Sequence, residues 1–279
     1  MTLIRAEKLY TAKNYVAFLE AFQKNCPEYV YFCPFRGKTV ISAPSTSIEK
    51  LYVPHECLRS LIQLNNKDNL QKMTLDLIGL LSGESGIVME DFGVHGSVTL
   101  NMHSAKSDMD IVVYGVENFR KLEKTVDKLV KTGILTYQAN NRLDAIRHFK
   151  GRCQNRLFMY NAIRKPEEIN SKYGKFKYSA VTSVKFRCIV KDDSEAMFRP
   201  AIYKIENYSP ANASSELSNV RIPKLVVSMI GCYRNVARQG GKIQVSGMLE
   251  HVENLETGEV FYQVVVGTGT SEEEYIWPL

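Results

Sequence analysis

The chain has 279 residues, 44% of them hydrophobic and 24% charged. That balance excludes wholesale disorder and suits two domains, or one large domain with an appendage. Net charge is +6, no run approaches the ~18 apolar residues of a bilayer span, and the opening MTLIRAEKLYTAKNY lacks the apolar stretch of a secretory signal, so a cytoplasmic location is expected. The charge is unevenly spread: residues 117–187 hold 17 Lys/Arg against 6 Asp/Glu, while the remainder holds 19 against 24. A basic middle between acidic flanks suggests a polyanionic partner. The six cysteines form no CxxC pair and the five histidines no HExxH pattern, so zinc-site spacing is absent and the thiols are expected to be reduced.

In chain order, residues 1–85 read as an N-terminal α/β region. Tyr15, Phe18, Leu19 and Phe22 recur at helical spacing until Cys26-Pro27 stops the helix. EYVYFCPF and GKTVISAP are predicted strands around Arg36-Gly37. Pro54 opens a helix through HECLRSLIQLNN. A second follows in NLQKMTLDLIGLLSG, with Leu70, Met73, Leu77, Leu80 and Leu81 on one face and Gly83 as its C-cap. Residues 86–200 begin with strand-like runs around Gly96-Ser97 and pass through Met109-Asp110-Ile111-Val112-Val113-Tyr114. A helix then places Phe119, Leu122, Val126 and Leu129 on one face and ends at Gly133. Residues 136–178 are basic and aromatic without clear periodicity. AVTSVKFRCIV reads as a buried strand, KDDSE as a turn and AMFRPAIYKIENY as another strand. Residues 201–279 are β-rich, with GGKIQVSGMLEHV and EVFYQVVVG joined through ENLETG and Gly258. A small barrel or sandwich is expected there. Within it Lys224, Arg234, Arg238 and Lys242 accompany no clear aromatic stacking set, so a structural role is favoured over nucleic-acid binding. Trp277 is read as a packing anchor and Ser271-Glu272-Glu273-Glu274 as a solvated run.

The chemistry-bearing stretch is Gly96-Ser97, ten further residues, then Asp108-Met109-Asp110-Ile111. Side chains alternate along a strand, so Asp108 and Asp110 project together while Met109, Ile111 and Val113 face a core. Two ionised carboxylates side by side repel each other and suit a hard cation such as Mg2+. Gly96 allows close backbone approach to a phosphate, and the Ser97 hydroxyl can add a hydrogen bond.

Val94-His95-Gly96-Ser97 through Asp108-Met109-Asp110-Ile111 resembles the signature of the DNA polymerase beta-like nucleotidyltransferase superfamily. GVHGSVTLNMHSAKSDMDIVVYG, KDDSEAMFRPAIYKIENY and the Gly/Val-rich β tail are similar to an uncharacterised archaeal group of predicted nucleotidyltransferases. The resemblance implies an α+β fold: a nucleotidyltransferase core of mixed sheet and flanking helices at 86–200, followed by the β-rich domain. It also implies that Asp108 and Asp110 hold divalent cations (Mg2+ or Mn2+) as the catalytic pair. Gly96 and Ser97 would hold a nucleoside triphosphate, with ATP the expected substrate. The reaction implied is transfer of a nucleoside monophosphate to a hydroxyl, with pyrophosphate leaving.

Members of that superfamily generally supply a third carboxylate from a neighbouring strand. The expected strand here, AVTSVKFRCIV, has Lys185 and Arg187 but no acid. Asp192, Asp193, Glu195 and Glu206 lie just beyond it, and Glu90 and Asp91 precede the Gly-Ser turn, so the third position stays open. Without it, the alternative is a catalytically degenerate fold that binds nucleotide or RNA. The segment 142–165 is the expected grip for RNA or another polyanion: Arg142, Arg147, His148, Lys150, Arg152, Arg156, Arg164 and Lys165 interleave with Phe149, Phe158 and Tyr160. The other reading of that segment is core aromatics beneath a basic surface. His95 and His103 flank the motif and are candidates to touch the nucleotide.

Overall fold

The computed structural model describes residues 14–104, 106–268 and 273–279. The chain is mixed α and β and divides into two compact units, Lys50–Asn170 and a second made of Met1–Glu49 with Ser171–Leu279. The expected divisions at 85/86 and 200/201 fall inside these units. The first would detach a helix packed on the strand that carries Asp110, and the second would separate β-strands that pair with each other.

The second unit begins with helix α1 (Tyr15–Asn25), closed at Cys26-Pro27 as its sequence indicates. The hairpin of β1 (Val30–Cys33) and β2 (Lys38–Ile41) follows, and Tyr15 donates a hydrogen bond to the Thr39 carbonyl across it at 3.0 Å.

The Lys50–Asn170 unit opens with α2 (Pro54–Gln63), which has proline in its first turn, and α3 (Asn69–Ser85). Asp68 caps α3 in a reciprocal box with Gln71, each side chain accepting from the other's backbone N–H at 3.0 Å. The helix runs past Gly83 and stops at Gly86, whose φ of +69° closes the C-terminus. Next come β3 (Phe92–Val94), the single turn α4 (Gly96–Thr99), β4 (Met109–Tyr114) and α5 (Val116–Lys131). The unit ends with β5 (Thr136–Tyr137), α6 (Arg142–Arg147), β6 (Lys150–Cys153) and β7 (Arg156–Ile163).

These strands form one mixed sheet in the order β3-β4-β7-β6-β5, with β4 and β7 parallel and the other pairs antiparallel. Met109, Ile111 and Val113 of β4 share a face with Phe158 and Tyr160 of β7, and all are buried. Helix α5 covers that face: Phe119 lies 5.8 Å from Tyr160 and 5.4 Å from Phe149, ring centroid to centroid. Its stripe of Phe119, Leu122, Val126 and Leu129 is buried along its length, each side chain contributing about 1.5–3 kcal/mol. At the sheet's edge, Gly93 admits α2: a Cβ there would stand 2.7 Å from Pro54 Cβ. Glycine is needed where two backbones come this close.

The chain then returns to its second unit with β8 (Phe176–Glu195), β9 (Ala201–Pro210), β10 (Leu225–Ser228), β11 (Lys242–Asn254), β12 (Val260–Val266) and β13 (Tyr275–Pro278). The strand order is β12-β10-β9-β8-β11-β13, and β12 also pairs with β11, so five strands close into a ring. All pairs in it are antiparallel except β10 with β12. A small barrel or sandwich is expected at 201–279; the closed ring also takes in β8, which begins at Phe176, runs on through KDDSE and pairs with β9 and β11. The ENLETG connection joins β11 to β12 with Gly258 at φ +73°, as expected.

Two expectations for the tail are corrected. Glu274 is not solvated: it is buried and accepts hydrogen bonds from the Gly267 and Thr268 N–H groups and the Thr268 hydroxyl. The 269–272 stretch of that region lies outside the described residues. Trp277 is 36% exposed on β13, because alternation turns Ile276 inward in its place. Among the described residues no helix is long and apolar enough to cross a membrane. The six cysteines are all unbridged, and burial pushes the Cys188 thiol up to about 12.

Candidate functional site

Strand β4 carries Asp110 on the face opposite to Met109 and Ile111, and Asp108 immediately precedes the strand. Beside them α4 begins at Gly96, whose φ of +70° belongs to the left-handed region. The His95 N–H donates to the Asp110 carbonyl at 3.1 Å, fixing the bend against the strand. A Cβ on Gly96 would lie 3.0 Å from Asp110 Cγ and collide with Oδ2. The structure therefore brings Gly96 and Asp110 into contact, with Ser97 in the same half-exposed turn. Ser97 accepts a hydrogen bond from Met102 N–H at 2.9 Å through its carbonyl, which closes the turn.

Burial, and after it the neighbouring charge of Asp108, push the Asp110 carboxyl up to about 6 from 3.8. A carboxyl held this way gains from a cation that replaces lost solvation and cancels like-charge repulsion. The donor chemistry fits such a cation only partly. Both carboxylates offer hard oxygens, but among the described residues no cluster of three Asp, Glu, His or Cys forms a metal-binding group.

The strand expected to bring a third carboxylate is not β4's neighbour. AVTSVKFRCIV lies in β8, which pairs with β9 and β11 in the barrel. The strands beside β4 are β3 and β7, and β7 is drawn from a segment in which the sequence shows no periodicity. Asp110 is opposite Met159, and Val112 opposite Asn161. In a parallel pair these partners share a face, so β7 presents Met159 and Asn161, and no acid, on the face of Asp110. Asn161 is 7% exposed, and its side-chain nitrogen lies 3.3 Å from His95 Nε2. Its Oδ1 is buried with no hydrogen-bond partner among the described residues. No motif marks Asn161. The usable signal was RLFMYNAI itself, an apolar run of central-strand length with one amide in it.

Of the other candidate acids, Asp91, Asp192 and Asp193 are engaged in ion pairs. Asp91 pairs with Lys165 at 2.9 Å and accepts from Asn118 at 2.7 Å. Asp192 pairs with Lys204 at 2.7 Å, which holds its carboxyl down at about 2, and Asp193 pairs with Arg238 at 3.4 Å. Glu195 ends β8, Glu206 sits in β9 opposite Ile189, and Glu90 is exposed beside Asp91. His103 meets the α3 cap, 2.6 Å from Asp68 Oδ2, and His95 is the histidine at the site.

The basic segment 142–165 supplies α6, β6 and β7 of the same unit. Phe149, Phe158 and Tyr160 are core residues at 0–1% exposure, so they do not present faces to bases. Arg147 is buried in an ion pair with Asp144, which Lys150 joins at 3.3 Å. Arg152 is exposed and donates to Gln138 at 3.0 Å and to the Asn155 carbonyl at 3.0 Å. Arg156 reaches the Ser107 carbonyl at 3.4 Å, placing a guanidinium one residue from Asp108.

A protein of Methanocaldococcus jannaschii, the uncharacterised protein MJ1086, is 27% identical over 212 residues, which is 68% of this chain. The chain spans 59% of that relative's length. No family model matches the chain, and no solved structure matches it.

Proposed function

We propose that the Asp108–Asp110 face binds a nucleoside triphosphate with Mg2+ or Mn2+ and transfers its nucleoside monophosphate to a hydroxyl acceptor, releasing pyrophosphate. The observation that carries this reading is the Asp110 carboxylate, held against Gly96 and beside Asp108 with its pKa raised to about 6. A bound divalent cation would neutralise triphosphate charge there. Asp108 and Asp110 would hold it. Gly96, with no side chain between its backbone and the strand, leaves room for phosphate oxygens, and the Ser97 hydroxyl is available as a donor. Arg156, hydrogen-bonded to the Ser107 carbonyl, adds positive charge one residue from Asp108. The polyanion grip narrows to phosphate contacts, because the aromatics are in the core.

A second reading is favoured by one observation. Met159 and Asn161 stand on β7 where active relatives of the resembled superfamily would offer an acid. Under that reading the site binds nucleotide without transfer.

Incubation with labelled nucleoside triphosphates, Mg2+ or Mn2+, and total RNA separates the two. Transfer that disappears in Asp110→Asn supports the enzyme. No transfer, with a nucleotide-dependent rise in melting temperature that requires Asp110, supports binding alone. Neither effect in the intact chain rejects both readings.

A further inference from the structure

We infer that Asn161 is the third oxygen ligand of the Asp108–Asp110 cation site, a neutral amide carbonyl in place of a carboxylate. The inference rests on the metal-binding element of the reading above and assigns a residue to it. Three observations meet at this side chain. Register places Asn161 on the sheet face of Asp110, one strand over and opposite Val112, two residues beyond Asp110. Its Oδ1 is buried and has no partner among the described residues. Such an acceptor is costly unless something satisfies it. Its amide nitrogen faces His95 Nε2 at 3.3 Å, and the His95 backbone is bonded to Asp110. In the His95 tautomer whose Nε2 carries no proton, the amide N–H donates to it and Oδ1 is the atom left for the site. Carbonyl oxygens of asparagine are ordinary ligands for hard divalent cations. Exchanging a carboxylate for an amide removes one negative charge from the donor set, so the cation is held more weakly than by three acids.

The test titrates Mn2+ alone into the full chain, read by the loss of the free-ion electron paramagnetic resonance signal, with circular dichroism and melting temperature as folding controls. Asn161→Asp adds a carboxylate at the proposed ligand and should tighten Mn2+ binding about tenfold. Asn161→Leu should weaken it by about the same factor. Asp110→Asn should abolish it. If Asp110→Asn abolishes binding while both folded Asn161 variants bind like the parent, this assignment is wrong and the reading of the two aspartates stands. If parent and Asn161→Asp alike bind no Mn2+, the cation site itself is wrong and the assignment falls with it.

Discussion

The carboxylate of Asp110 fills the space that a side chain on residue 96 would occupy, with Gly96 held at φ +70° against it. Two constraints coincide at one glycine, a left-handed backbone and contact with the Asp110 carboxylate. Gly96→Ala should therefore lower stability by about 1–3 kcal/mol through strain and displace Asp110. Thermal unfolding measures the first effect and Mn2+ affinity the second. An alanine variant unchanged in both would remove Gly96 from the site.

Asp110 also makes a pH prediction. Its carboxyl is raised from 3.8 to about 6 by burial and by Asp108, so folding favours the protonated form. Its stabilising contribution is complete below about pH 4, is lost as pH rises to 6, and above 6 the ionised group is a net cost. At 1.36 kcal/mol per unit the cost has a ceiling of ~3 kcal/mol, and partial exposure reduces it to ~1–2 kcal/mol. Asp110→Asn should raise unfolding free energy by that amount at pH 7–8, with the gain fading toward pH 4. Urea unfolding across pH tests this; a loss of stability at pH 7 would contradict it. Proton competition also predicts that Mn2+ affinity falls as pH drops through 6.

The buried ion pair of α6 gives the opposite pH dependence. Burial would raise Asp144, but the Arg147 guanidinium and the Lys150 ammonium outweigh it and hold the carboxyl below the ordinary range. Asp144→Ala takes the carboxylate from the buried Arg147 guanidinium and should cost about 3–5 kcal/mol. Stability from this pair is present above pH 4 and is lost as acid protonates Asp144. An alanine variant as stable as the parent would show that the pair is not held as described.

Polyanion binding should depend on exposed cations and not on buried ones. Reversing Arg152 and Arg156 to glutamate should weaken RNA binding and flatten its salt dependence by about two counter-ions. Arg147→Met should leave that slope unchanged, since Arg147 faces Asp144 inside the sheet unit. Equal slopes for parent and double variant would separate the basic segment from any polyanion.

What the sequence discloses and what it hides follow from how local each signal is. Asp108, Asp110, Gly96 and Ser97 lie within 15 residues, and strand alternation plus a glycine bend suffice to place them. Helices α1, α3 and α5 carry 3.6-residue stripes and are legible, although α3 outruns Gly83 because nothing forces a helix to stop at a glycine inside an apolar stripe. Strand β7 is not legible. It is central and flanked by basic residues, and its only polar side chain on the site face is Asn161, so alternation is missing. Its pairing with β4 spans about fifty residues of chain, and no local pattern reports such a contact. For the same reason the sequence points to β8 for the third-ligand position, a strand with a clear pattern that pairs in the barrel.

Crystals grown with Mn2+ and a non-hydrolysable ATP analogue test the central claim most directly, through anomalous scattering at the manganese edge. The expected result is a peak held by Asp108 and Asp110, with the triphosphate beside Gly96 and Ser97. A nucleotide and metal bound elsewhere, with both aspartates left to solvent, would contradict it.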